Sequence, residues 1–125
     1  MGTPFDDDTY VSLRSYKRDG SPVDTPVWAA PLEGTLVVFT LRDSFKVKRI
    51  RRNPRVQVAR CGMFGAVSGT WRDGTCRIVE SPTDEARAYH ALDAKYGWQM
   101  RLGTLMRRFV GGLEKRMILE ITLDG

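Results

Sequence analysis

Histidine is almost absent from this chain. Among 125 residues there is one, His90, and only two cysteines, Cys61 and Cys76, fifteen positions apart with no C-x-x-C pair. A zinc site needs several such ligands at short spacing, so the sequence offers no ligand set for one. No apolar run approaches the ~20 residues of a membrane-spanning helix. Asp6, Asp7 and Asp8 stand where a secretion signal would be basic and then apolar, so a soluble, cytoplasmic protein is expected. Repeats and low-complexity stretches are missing too. Neither a paired-carboxylate motif, nor a nucleophile with its base, nor a metal cluster can be picked out, so catalytic side chains are expected to be none. Gly62, Gly65 and Gly69 fit neither the dinucleotide-binding nor the Walker spacing and read as turn positions. His90 reads as a surface residue, and the two cysteines as small core or strand residues.

Acid is the minority charge. Twenty Lys and Arg against fifteen Asp and Glu leave +5 at pH 7 and a pI near 9.6. A charged partner is therefore expected to be anionic: a phosphate, a nucleic acid or a lipid headgroup. At 14.2 kDa the chain suits one domain over residues 1–125, with 1–9 as a flexible arm. Such a chain has one core and little room for a closed cavity, so a site would be a groove or be completed by a second subunit.

What is present is mostly strand. Tyr10 to Tyr16 alternates apolar and polar residues, and Lys17 to Ser21 reads as a hairpin turn into a second strand, Val23 to Ala30. Pro26 inside that strand calls for an edge, a bulge or a ladder break. Thr35 to Thr40, a run rich in β-branched and aromatic residues, suits a strand covered on both faces. Ser44 to Asn53 is a short helix, capped by Asp43 or Ser44 and stopped by Pro54. Arg55 to Cys61, Ala66 to Arg72 and Thr75 to Glu80 follow as strands, with Asp73-Gly74 as a hairpin between the last two. Ser81-Pro82-Thr83-Asp84 opens a capped helix that ends at Tyr96 before Gly97. Trp98, Leu102, Leu105, Met106 and Phe109 suggest a further helical segment, and Met117 to Leu123 closes as the seventh strand. The order predicts a mainly β (α+β) chain, a small antiparallel barrel with helices on its rim.

Eight cationic residues (Arg42, Lys46, Lys48, Arg49, Arg51, Arg52, Arg55, Arg60) crowd into nineteen positions. If a helix starts at Ser44, its unpaired N–H groups and dipole favour an anion, and Lys46 in the first turn adds charge to the same spot. A phosphate would fit there. A solvated helix anchored by Val47 and Ile50 explains the same residues, and so does a nucleic-acid surface, although only Phe45 interleaves an aromatic with the cluster. Trp28, beside Pro26, could offer a flat face to a planar ring or simply fill a core.

The run from Asp19 to Trp28 (DGSPVDTPVW), a strand ending in Thr40, and Ser44 to Val56 (SFKVKRIRRNPRV) together resemble the pyridoxamine-phosphate-oxidase-like split β-barrel superfamily. Within it they are most similar to the small deazaflavin-dependent (coenzyme F-420) oxidoreductases of actinobacteria. The likeness is specific over residues 10 to 61; beyond them it rests on element order, with Lys95-Tyr96-Gly97 at the long helix's end. It implies a homodimer with two cofactor sites along the subunit interface and a small-molecule substrate, with no nucleic acid and no membrane span. It also implies that Thr40, Ser44 and Lys46 contact the cofactor phosphate, that Lys48 and Arg49 face the phosphate or an anionic tail, and that the backbone of Thr25, Pro26, Val27 and Trp28 runs along the ring system and polarises it near Val27 and Trp28.

FMN-using relatives often carry Arg between that Ser and Lys, and an Arg-x-Val-Leu-Leu-Lys pattern on the second strand. This chain has Phe45 at the first position and lacks the second pattern and the C-terminal substrate-binding segment of those oxidases. The resemblance therefore implies a reductase using coenzyme F-420, with hydride chemistry carried by the cofactor and a proton drawn from solvent. FMN on the same fold is the alternative, and a non-enzymatic basic binding module the alternative of another class.

Overall fold

The computed structural model describes residues 3–41, 45–96 and 116–124. Its elements are β1 (Val11–Tyr16), β2 (Pro22–Val27), β3 (Ala29–Leu32), β4 (Thr35–Leu41), α1 (Phe45–Arg52), β5 (Arg55–Arg60), β6 (Arg72–Val79), α2 (Pro82–Tyr96) and β7 (Arg116–Leu123). All strand pairs are antiparallel, in one sheet of order β2-β1-β5-β6-β7-β4-β3.

That order forces the sheet to curl. Strands β2 and β3 sit at opposite ends of the ladder, yet Trp28 alone connects them. Six spacings of about 4.8 Å would hold the edges of a flat sheet roughly 29 Å apart, whereas Cα atoms two residues apart reach at most about 7 Å. The sheet must roll until its edges meet at Trp28, which makes the split β-barrel that the element order predicts.

Period-2 alternation then sorts the side chains. Val11 and Leu13 of β1, Leu36 and Val38 of β4, Val56 and Val58 of β5, and Leu119 and Ile121 of β7 fill the barrel with Ile50 of α1. The opposite faces of β4 and β7 send Val37 and Ile118 outward against Ala88, Leu92 and Tyr96, the buried stripe of α2. Strand β4 is thus covered on both sides, as its composition suggests. Helix α2 begins as expected: the Glu85 N–H returns to the Ser81 carbonyl at 2.9 Å, Asp84 and Glu85 occupy the first turn, and Lys95 the last.

Four expectations change. The strand Val23 to Ala30 is two strands, broken at Trp28 rather than at Pro26, which sits in edge strand β2. Asp73-Gly74 is no hairpin but lies within β6, where Gly74 pairs with Val56 on one side and Leu123 on the other. A Cβ at Gly74 would stand 2.9 Å from the Thr122 carbonyl oxygen and 3.3 Å from Ile121 Cγ2, so glycine serves close strand approach here. Gly74→Ala should cost about 1–3 kcal/mol through that overlap, read as a lower urea midpoint with unchanged slope. Ala66 to Trp71 forms no strand. It belongs to a loop closed by the Cys61–Val67 bridge and by the Ser68 N–H to Arg60 carbonyl bond of 2.9 Å, with Gly65 at φ 91°. Ala66, Val67, Ser68 and Gly69 are exposed and bury too little to hold a strand.

The segment expected as a flexible arm, 1–9, is packed from Thr3 onward. Phe5 is buried in the barrel core, Asp8 pairs with Arg60 at 2.9 Å, and Thr3 caps a turn on Asp6. The helical segment expected from Trp98 to Phe109 lies outside the described residues.

Candidate cofactor-binding site

Helix α1 plugs one end of the barrel. Val47 and Ile50, three apart, are buried, while Lys48, Arg51 and Arg52 are exposed. The first turn holds no acid. Arg49 Nε donates to the buried Ser15 Oγ at 2.7 Å, and an Arg52 guanidinium nitrogen donates to the Tyr16 carbonyl at 3.3 Å, which fixes the helix on the end of β1. Lys46 is half-buried, and among the described residues its ammonium has no hydrogen-bond or ion-pair partner. Burial, and then the neighbouring Arg49 charge, push its pKa down. Arg49 is lowered in the same way, by burial and then by Arg52. A cation held out of water beside a second one is an arrangement that an anion relieves.

The split opens beside this plug. Strand β3 leaves β4 after the Ala29–Val38 pair, so Phe39, Thr40 and Leu41 are laddered on one side only, to β7. Thr40 is buried there, opposite Met117. The other edge of the sheet is β2. Because the Lys17 N–H bonds the Ser21 carbonyl, alternation along the β1–β2 ladder turns the backbone of Val23, Thr25 and Val27 toward β1, and that of Pro22, Asp24 and Pro26 outward. Two of the three outward residues are prolines. The open edge therefore presents carbonyls and the single N–H of Asp24, a poor template for another strand. The Val27 N–H is taken by the ladder, so backbone groups meeting a ring along this edge would come from its neighbours.

The predicted site residues sort accordingly. Thr25, Pro26 and Val27 lie on edge strand β2 and Trp28 at the corner after it, Thr40 lies on β4 beyond its last pair with β3, and Lys46 and Arg49 are on α1. Lys48 is on the exposed side of α1. Ser44 lies outside the described residues. From Ser15, which anchors Arg49, to Val11, which pairs with Val27, β1 rises four residues. That is about 14 Å.

Sequence reasoning misses three features. Ser15 reads as an ordinary inward position, yet it orients Arg49. The corner at Trp28 is held by α2: the Trp28 and Tyr96 rings stack at 4.6 Å and 8°, and Lys95 and Tyr96 bond the backbone around Ala29. The loop after β5 carries an apolar tip, Met63, Phe64 and Val67, all exposed, with Gly65 set against the Pro26 ring. His90 is exposed and both cysteines are buried; burial, with Glu120 adding repulsion, pushes Cys76 up to about 12, and burial raises Cys61. Neither thiol is primed as a nucleophile. The described residues contain no group of three or more His, Cys, Asp or Glu placed to hold a metal, and no helix long and apolar enough to cross a membrane.

Comparison with known proteins agrees with this architecture. Among solved structures, the conserved hypothetical protein Rv2991 from Mycobacterium tuberculosis superposes with a TM-score of 0.71 at 22% identity, over 96% of this chain and 76% of that one. An F420 reductase superposes at 0.61 with 16% identity, over 97% and 90%. The heme storage protein HutZ from Vibrio cholerae superposes at 0.67 with 12% identity, over 94% and 82%. At these identities the likeness is one of fold, and the fold carries more than one function. No curated protein matches the chain. The family model described as pyridoxamine 5'-phosphate oxidase matches residues 4–125. With its curled seven-stranded sheet split at Trp28, the chain belongs to the pyridoxamine 5'-phosphate oxidase family.

Proposed function

We propose that the chain is an oxidoreductase that binds a flavin-type cofactor in the seam between β2 and the end of β4, that the cofactor is the deazaflavin coenzyme F-420, and that the acceptor is an electron-poor organic molecule. The observation that carries the reading is Lys46: half-buried, without a hydrogen-bond or ion-pair partner among the described residues, in the acid-free first turn of α1. Such a group fits a phosphate. Lys46 and Arg49 would hold it, Thr40 would close the seam from β4, and the outward backbone of β2 would lie along the ring. When bound, the deazaflavin supplies the hydride chemistry, and the protein supplies position and charge. Phe45, where FMN-using relatives often carry Arg, favours the deazaflavin over FMN. A second copy of the chain would complete the groove.

The test is a fluorescence titration of the protein with oxidised coenzyme F-420 and with FMN. Tighter binding of the deazaflavin supports the proposal, and equal or tighter binding of FMN replaces it with the flavin alternative. Lys46→Glu should weaken cofactor binding by at least a hundredfold, because it removes a charged hydrogen bond and adds a like charge beside the phosphate, at about 1.5–3 kcal/mol for the bond alone. Arg51→Glu, on the exposed side of the same helix, should change binding only a few-fold. Equal losses would mean that α1 is a general basic surface.

A further inference from the structure

We infer that Lys95 and Tyr96, at the end of α2, are positioning residues that hold the Trp28 corner in the one geometry the seam can use. This rests on the functional reading above.

The corner is a weak point by construction. A single residue passes the chain from one edge of the sheet to the other, and β1 and β4 stop supporting it at Val27 and Ala29 respectively. Backbone groups leaving a ladder need new partners. Here one helix end supplies them. The Ala29 N–H donates to the Tyr96 hydroxyl oxygen at 2.9 Å, and the hydroxyl proton is shared between the Thr9 carbonyl at 2.8 Å and the Ala29 carbonyl at 3.0 Å. Lys95 Nζ donates to the Ala29 carbonyl at 2.6 Å, to Asp8 at 2.7 Å and to Phe5 at 3.4 Å, so each ammonium proton has a carbonyl. The Tyr96 ring then lies flat on Trp28.

Three chain segments, the amino-terminal turn, the corner and the end of α2, are thereby tied at one point. The hydroxyl and the ammonium do different work from the apolar stripe of α2. Ala88 and Leu92 dock the helix, whereas the two polar ends fix where Ala29, and with it Trp28 and the upper seam, can sit. A ring laid along β2 would meet a corner already in place, which saves the ordering cost of binding.

Tyr96→Phe keeps the stack and removes only the hydroxyl; Lys95→Met keeps the length and removes the charge. Both would be compared with the parent chain for thermal unfolding, for amide exchange at Ala29, and for affinity toward the whole cofactor and toward its ring portion lacking the phosphate. The expected result is a tenfold or greater acceleration of Ala29 exchange and an equal loss, about tenfold, for the whole cofactor and the ring portion. Lys46→Glu should instead reduce affinity for the whole cofactor alone. Lys95→Arg, which retains charge and donors, should recover part of the loss. Unchanged ring affinity in a folded Tyr96→Phe protein whose parent binds the ring would overturn the assignment and leave the functional reading standing. If the parent binds neither deazaflavin nor flavin, the functional reading falls, and the assignment with it.

Discussion

A Lys46→Met variant is expected to be more stable than the parent protein and to bind its cofactor less well. The ammonium is half-buried, and burial followed by the Arg49 charge holds its pKa below the ordinary 10.5. In the unfolded chain the group titrates near that ordinary value, so between the two the unfolded state binds more protons. Stability therefore rises with pH through this window, and below it the whole penalty is present. The charged form carries that cost in the folded chain. Methionine fills the same space without charge, so its melting temperature at pH 7 should rise by a few degrees and lose the alkaline gain the parent shows. A phosphate beside Lys46 reverses the sign, since an anion favours the protonated form. The same substitution should lower cofactor affinity roughly tenfold to a hundredfold, using about 1.5–3 kcal/mol for a charge-assisted bond. Unfolding curves at pH 7 and 10 and a binding titration check both halves. A destabilised Lys46→Met protein at pH 7 would mean that the ammonium has a partner in the free protein.

The two outcomes separate a binding residue from a structural one. Arg49 could not serve for this test, because its guanidinium already bonds Ser15 and its removal would loosen α1 as well as the site.

Much of this was legible in the residues because the signals were local. The double covering of β4 is written in TLVVFT, and the start of α2 in Ser81-Pro82 with two acids behind it. The short helix with Lys46 in its first turn could be read from the run before Pro54. What escaped depended on residues far along the chain. Asp73-Gly74 has the composition of a hairpin, and only the approach of Thr122 and Ile121 on β7 shows that glycine is there for clearance. The single run Val23 to Ala30 divides at Trp28 because Tyr96 takes the Ala29 N–H, a bond across 67 positions that no window on the strand contains. The two errors offset each other, one strand split and one strand lost, so the count of seven holds although the assignments do not. Within the site, the ladder's parity turns the Val27 N–H away from the seam, a fact set by the Lys17–Ser21 pair and not by the sequence of β2.

Leu92→Ala is expected to be the most damaging single change in α2. Leu92 is fully buried at the centre of the cluster that joins α2 to β3, β4 and β7, between Ala88 and Tyr96 on the same stripe. Truncating it removes a large apolar contact and leaves a cavity, at about 2–5 kcal/mol. A domain of this size is stable by only about 5–15 kcal/mol in all. Lys95 and Tyr96 follow three and four residues later, so a helix that no longer seats firmly releases the bonds at Ala29 as well. Leu13→Ala, in the barrel interior, should cost a similar amount without touching α2. Urea unfolding would show comparable losses for the two variants. Native-state amide exchange would separate them, with Ala29 opening far faster in Leu92→Ala than in Leu13→Ala at equal global stability. Equal exchange at Ala29 would mean that the corner is held by the sheet and that α2 is only a cover.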